Sequence, residues 1–483
     1  MLKTKNIGLF LGPLSFFLIL FFFHPEGLNP QANAVLASTA WVSIWWITEV
    51  IPIAVTSLLP IILFPLSGAM ELSTTTASFG HKYIFLYMGG FIIAIAIEKW
   101  NLHKRIALLI IFIVGTNKKR MILGFMIASA LLSMFLSNTS TSIMMLPIGI
   151  AIASQVSSRK NLSNSNFGKV LMLGIAYSAS IGGFATLFGT PPNLILQSNV
   201  EQFFGYKLDW EEWFIMAFPL SISLLLICWV YLSNFSYDIT SSSNINKNII
   251  HDKLKQLGKI KYEELIVLII FFLFIISLIF KRKIEVYIPF IDDTIIAIFY
   301  AVVLFLFKSQ DEKEKIIDWE DSVKLPWGII ILFGGGLSVA AAMQESGLAL
   351  WFGEKVYLLN DFSILLIIFL LVLAVNFLTE ITSNLATVSM ILPILASVSV
   401  SLGVNPLIIM ISATIAASCA FMLPVATPPN AVVFGSGYLK IKDMIRTGLF
   451  MNLISIIIVS LYVYYILPLI WDLDQIILID KLR

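Results

Sequence analysis

Nine segments of this 483-residue chain are apolar over or near the length of a membrane span: 7–23, 33–48, 51–66, 83–98, 213–233, 263–280, 293–307, 327–343 and 445–470. A helix needs about 20 such residues to cross the hydrocarbon core. Four more apolar stretches, 121–156, 170–200, 362–402 and 405–436, are interrupted by polar residues and prolines. The pattern predicts an all-α polytopic membrane protein, because a helix leaves no backbone group unpaired in lipid. Composition points the same way. Hydrophobic residues make up 58% and charged residues 12%, where a soluble fold carries about 25% charged. The 31 basic and 29 acidic residues leave a formal charge of +2, so no basic field argues for a nucleic-acid partner. Cys228 and Cys419 lie inside apolar runs and form neither a disulfide framework nor a metal cluster.

Lys3 and Lys5 precede the first run, and Ala32-Asn33-Ala34 resembles a cleavage site. The run of about 17 residues is long for a signal peptide and ordinary for a span. A retained first helix is expected. Cytoplasmic loops collect lysine and arginine. With the N-terminus inside, 121–156 and 362–402 returning to their own side, and 170–200 and 405–436 each crossing once, 23 of the 31 basic residues fall inside. This predicts eleven crossings, the N-terminus cytoplasmic and the C-terminus outside. The Lys281-Arg282-Lys283 cluster sits on the wrong side of that scheme. Residues 236–262 and 308–324 are polar and read as solvated cytoplasmic stretches.

The chain repeats itself. Gly89-Gly90 matches Gly335-Gly336, and SNTSTSIMMLPI at 137–148 matches SNLATVSMILPI at 383–394, both at an offset of 246. Thr190-Pro191-Pro192-Asn193 matches Thr427-Pro428-Pro429-Asn430 at an offset of 237. Five crossings separate the two Ser-Asn tracts, and an odd number inverts the second copy. Inverted repeats with broken segments in matching places are the signature of secondary transporters.

Residues 121–158 contain no charged residue, yet carry Ser137, Asn138, Thr139, Ser140, Thr141 and Ser142 at their centre. A re-entrant hairpin places that tract at its tip, where irregular backbone can line a cavity. The paired prolines break the other two stretches. Pro191, Pro192, Pro428 and Pro429 lack amide donors, and each pair pushes the preceding threonine out of the helical region. Hydroxyls, side-chain amide oxygens and exposed carbonyls suit a small hard cation. Half-helix N-termini favour an anion. Together they predict a cation-coupled anion carrier. Glu380, three residues before Ser383, is either a proton site or a structural brace; Met134 at its matching position favours the brace. Glu49 falls at a helix junction. The four histidines share no ligand spacing, and no catalytic set is present, so an enzyme is not expected.

These motifs resemble the divalent anion:sodium symporter family of dicarboxylate, citrate and sulfate carriers. The resemblance rests on SNTST at 137–141, TSNLAT at 382–387, GTPPNLIL at 189–196, ATPPN at 426–430 and WWITEVIPIAVTSLLP at 45–60, and covers essentially the whole chain. It implies a homodimer in the cell membrane whose elevator-like transport domain moves past a scaffold, with eleven spans and two re-entrant hairpins per protomer. Scaffold helices would occupy 1–82 and 209–325, the latter around the linker 236–262. The repeats' transport elements would occupy 83–208 and 326–440, and the last helix and tail 441–483. One sodium would bind at Ser133, Ser137, Asn138 and the Gly189 carbonyl. A second would bind at Thr379, Thr382, Asn384 and the Ala426 carbonyl. Substrate carboxylates would meet Ser137, Asn138, Thr139, Thr190, Ser383, Asn384 and Thr427. Leu385 replaces the usual threonine of the second Ser-Asn-Thr and puts one carboxylate contact in doubt. The implied cargo is a four-carbon dicarboxylate such as succinate, malate or fumarate, ahead of sulfate, with sodium as the coupling ion and no other cofactor. A sodium-independent dicarboxylate or citrate exchanger is the alternative.

Overall fold

The computed structural model describes residues 2–115, 117–156, 165–239, 248–310, 314–355, 362–471 and 473. Among them the regular elements are helices, apart from one β-bridge between Lys308 and Lys315. Seven helices are long and apolar enough to cross a membrane: Lys5–Phe22, Leu72–Lys99, Trp210–Ser236, Tyr262–Ile279, Trp327–Glu345, Asn384–Ser401 and Ile441–Ile470. Four shorter apolar helices are Ile53–Ser67, Asp293–Leu304, Ile364–Thr379 and Pro406–Ser418. Phe10, Phe22, Leu66, Leu306 and Leu469 are all more than 70% exposed. An exterior this apolar fits lipid.

Close approaches at glycines fix the directions of the interior helices. A Cβ on Gly174 would meet Ile122 and Met126, and one on Gly182 would meet the Ala130 backbone. Helix Lys118–Ser133 therefore runs parallel to Asn166–Gly183. Gly183 faces Asn138, and Gly149 faces Ile175, Met172 and Leu171, so Asn138–Val156 runs the opposite way. The two arms form a hairpin whose tip is 134–137. The second copy is built alike from Ile364–Thr379 and Asn384–Ser401. Matching caps open the matching elements. The Asn117 side chain accepts from the Lys119 amide and Ser363 from Leu366; Ser165 accepts from Gly168 and Asn405 from Leu407. Each cap pairs one amide the helix start leaves orphaned.

The breaks follow the prolines. Thr190 has φ −143° and ψ 136°, and Thr427 has φ −138° and ψ 148°. Both are extended, as a following proline demands. Pro191 and Pro428 then open new helices, Pro191–Phe204 and Pro428–Phe434, at the position where a missing amide costs nothing. The copies interlock. Pro191–Phe204 packs on Asn384–Ser401, and Pro428–Phe434 packs on Asn138–Val156. The glycine pairs do the same: a Cβ on Gly89 would stand 2.7 Å from the Ala297 carbonyl carbon, and one on Gly335 would stand 2.5 Å from the Ser57 carbonyl oxygen. Each glycine thus lets its helix rest directly on the backbone of a segment outside the two transport stretches.

Charges collect at the two ends of helix Lys82–Lys99. At its start, Lys82 pairs with Glu201 at 2.7 Å, Lys281 with Asp209 and with Asp293 at 3.2 Å, and Arg282 with Glu212. The basic cluster that broke the charge rule thus serves ion pairs. At its end, Lys99 pairs with Asp321 at 2.7 Å and Arg105 with Glu264 at 2.5 Å. The described part of 236–262 is more ordered than a solvated loop. Helix Asn248–Leu257 packs on Leu102–Val114, and Arg105 donates to the carbonyls of Leu257, Gly258 and Lys259. Residues 240–247 of that linker and the tail from 474 lie outside the described residues.

Candidate functional site

At the first tip, Asn138 begins its helix and its amide turns back across the break. Ser133 Oγ lies 2.5 Å from it, on the last residue of the opposing arm. Its neighbours decide which way the amide points. With Nδ2 inward it donates to Ser133 Oγ at 2.5 Å and to the carbonyls of Ala179 and Gly189, each at 3.2 Å. With Oδ1 inward, the Ser133 hydroxyl donates to it, and it faces two carbonyl oxygens. The hydroxyl and the two carbonyls are satisfied by Nδ2, and they are also hard oxygens of the kind a small cation takes. Two glycines make the approach possible: a Cβ on Gly183 would lie 2.2 Å from Asn138 Oδ1, and one on Gly189 would lie 2.2 Å from the Gly183 carbonyl oxygen. Ser137 Oγ accepts from the Ser140 amide at 3.1 Å and shapes the turn.

The second tip repeats the motif. Thr379 Oγ1 stands 2.7 Å from Asn384 Oδ1 and 3.1 Å from the Ala417 carbonyl oxygen. Thr379 and Asn384 match Ser133 and Asn138. Thr382 is turned elsewhere: its hydroxyl meets Leu378 O at 2.9 Å and Thr387 Oγ1 at 2.6 Å. Ala426 is buried in the break beside Thr427.

Ser137, Asn138, Thr139, Ser383 and Asn384 are half-buried at the tips, whereas Thr190 and Thr427 are buried beneath them. Leu385 is buried, while Thr139 at the matching position is half-exposed. The second copy therefore offers packing where the first offers a hydroxyl. Three helices of full length begin at these tips and at the first break, namely Asn138–Val156, Asn384–Ser401 and Pro191–Phe204. Their first-turn amides and dipoles favour an anion there. Among the described residues, no group of three or more His, Cys, Asp or Glu could hold a metal.

Side chains inside and outside the motifs hold the breaks open. Asn193 Nδ2 donates to the carbonyls of Phe184 at 3.2 Å and Thr186 at 2.7 Å. Asn430 Nδ2 does the same for Ala420 at 3.3 Å and Leu423 at 3.0 Å. The asparagine of each Thr-Pro-Pro-Asn is thus a staple that satisfies its own unwound strand. In the first break, Trp213 Nε1 donates to Phe184 O at 2.9 Å and Ser221 Oγ to Ile181 O at 2.8 Å. In the second, Glu380 accepts from the amides of Phe421 and Met422 at 2.8 Å, Leu423 at 2.9 Å, and Asn452 Nδ2 at 2.7 Å. Each of these Glu380 contacts is an N–H donor, which makes it the brace expected from the sequence.

Comparison with known proteins gives one picture. The family model described as the sodium:sulfate symporter transmembrane region matches residues 3–471. The sodium-dependent dicarboxylate transporter SdcS of Staphylococcus saprophyticus is 46% identical over 480 residues, covering 97% of this chain and 92% of that protein. The protein of the same name from Staphylococcus aureus strain USA300 is 47% identical over 481 residues, with the same coverage. Among solved structures, Neisseria gonorrhoeae MtrF aligns at a TM-score of 0.55 and 13% identity, covering 96% of this chain and 95% of that one. The Alcanivorax borkumensis YdaH transporter aligns at 0.57 and 12%, covering 90% and 99%. At such low identity the two structures speak to the fold alone.

Proposed function

The chain belongs to the sodium:sulfate symporter family, and from that membership we propose that it is a secondary transporter carrying small C4-dicarboxylates with sodium across the cell membrane. The observation that carries this reading is the Asn138 amide, ringed by the Ser133 hydroxyl and the carbonyls of Ala179 and Gly189. In the empty carrier the amide donates to those oxygens. On sodium binding it turns, and its oxygen joins them as a ligand. Asn384, Thr379 and the Ala417 and Ala426 carbonyls form the second cation site. Helix N-termini at the tips and the first break receive the carboxylates, with Ser137, Thr139, Ser383 and the two buried threonines around them. The two curated relatives bear the name of sodium-dependent dicarboxylate transporters, which favours dicarboxylate over sulfate and sodium coupling over exchange.

Eleven crossings with the N-terminus inside, and two hairpins that return to their own side, fit the basic-residue count and the two charged ends. The hairpins and broken segments move together past the remaining helices as an elevator. Trp213 and Ser221 tie Trp210–Tyr231 to the first break, and Asn452 ties Ile441–Leu461 to the second. Those two helices therefore travel with the mobile unit. A homodimer is implied by the resemblance, and each protomer holds both repeats and so one complete site.

Uptake of labelled succinate into proteoliposomes with and without an inward sodium gradient tests the reading. Uptake that ignores sodium, or none at all, sinks it. A Gly183→Ala substitution should raise the half-saturating sodium concentration about tenfold, because a displaced Asn138 loses a charge-assisted contact. A sodium titration of uptake checks this, and an unshifted curve separates Gly183 from the site.

A further inference from the structure

Four phenylalanines join the first repeat's site to the surrounding helices. Phe135 stands at the hairpin tip, two residues before Ser137, and Phe188 stands in the break beside Gly189. Phe135 meets Phe271 edge-on with ring centroids 5.0 Å apart, and Phe188 meets Phe274 at 5.6 Å. Phe271 and Phe274 lie one turn apart on helix Tyr262–Ile279. The gap the four share with Gly90 is about 10 Å³, room for one water at most. Gly90 belongs to the fit, since a Cβ there would lie 3.1 Å from the Phe188 ring.

The second repeat leaves its matching positions bare. The offsets of 246 and 237 pair Phe135 with Ile381 and Phe188 with Val425. Ile381 and Val425 are each 69% exposed. Two apolar side chains at the mouth of a polar site gain by covering. The surrounding helices hold an equivalent seat, because Gly89 on Ala297 and Gly335 on Ser57 relate them pairwise. By that relation Pro30–Thr48 is the counterpart of Tyr262–Ile279, and Gly336 is the counterpart of Gly90. Here the Gly336 position is filled by Ser389, whose Oγ would lie 2.8 Å from an added Cβ.

We propose that the clasp of Phe135 and Phe188 on Phe271 and Phe274 holds one end state of the transport cycle, and that in the other it opens while Ile381 and Val425 seat beside Gly336. The inference rests on the alternating-carrier reading. The four are positioning residues. Phe188 is bonded to Gly189 and Phe135 stands two residues before Ser137, so the geometry of the first cation site sets the fit of the clasp.

The test uses Ile381→Cys or Val425→Cys as reporters in a Cys228→Ala/Cys419→Ala background, in nanodiscs, with a charged maleimide. Loosening the clasp by Phe271→Ala with Phe274→Ala should shift the conformer ratio about tenfold and slow labelling at both reporters at least about twofold. Ile381→Phe, a change at an exposed position, should slow labelling of Val425→Cys by strengthening the opposite seat. Unchanged or faster labelling in a monodisperse variant overturns the clasp. Slowed labelling in a protein without sodium-dependent uptake keeps the clasp and removes the transport reading; the reverse pair removes the clasp alone.

Discussion

Replacing Asn138 by alanine should cut sodium-driven succinate uptake at fixed sodium by at least about tenfold, the cost of one hydrogen bond or ligand to a charged centre. The loss has a local cause. Alanine leaves the Ser133 hydroxyl and the Ala179 and Gly189 carbonyls without the amide that bridges them, and would take one ligand from the proposed cation shell. Asn384→Ala should match it, because Thr379 joins Asn384 to the Ala417 carbonyl at the second tip. Uptake is measured in proteoliposomes across a range of sodium concentrations, with protein amount held equal. Full uptake with unchanged sodium dependence in either variant would remove that asparagine from the site.

The second large effect falls on stability. Glu380→Ala removes an acceptor shared by three backbone amides and the Asn452 side chain. Buried donors left unpaired cost about 1–3 kcal/mol each, so the variant should lose most of its folded yield and unfold at clearly lower temperature in detergent. Glu380→Gln keeps one oxygen where three of the four donors converge, and should be far milder. If Glu380 were instead a proton site, glutamine would flatten the pH profile of uptake at full stability. The pair of variants, read by thermal unfolding and by uptake against pH, separates a brace from a proton carrier.

The spans, the duplication and the breaks were legible in the sequence because each depends on local chemistry. Apolar length makes a span, consecutive prolines end a helix, and Asn117, Ser165, Ser363 and Asn405 cap whatever helix follows them. The Ser-Asn tracts were visible for the same reason. Contacts across the fold were not. Thr382 has the right side chain at the right spacing, yet its hydroxyl turns to Leu378 and Thr387. Asn193 and Asn430 stood inside the quoted motif, but nothing local says where their amides reach. Phe271 and Phe274 resemble the lipid-facing Phe272 beside them, which is 62% exposed; only packing tells them apart. The ion pairs of Lys281 and Arg282 with Asp209, Asp293 and Glu212 were equally hidden, since those acids lie at the starts of other helices.

No lysine or arginine occurs in 121–158, 170–200 or 356–439, and Glu380 is held by three backbone amides and Asn452. In the elevator proposed above, the electrical state of the mobile unit would then be set by its passengers. An empty unit and one carrying two monovalent cations with a dianion differ by no net charge. A unit holding only the cations, or only the dianion, carries an uncompensated charge past apolar surfaces, where a lone ion is strongly disfavoured. Such an electrostatic filter would stall partial loads and suppress slippage without a separate gate for each ion.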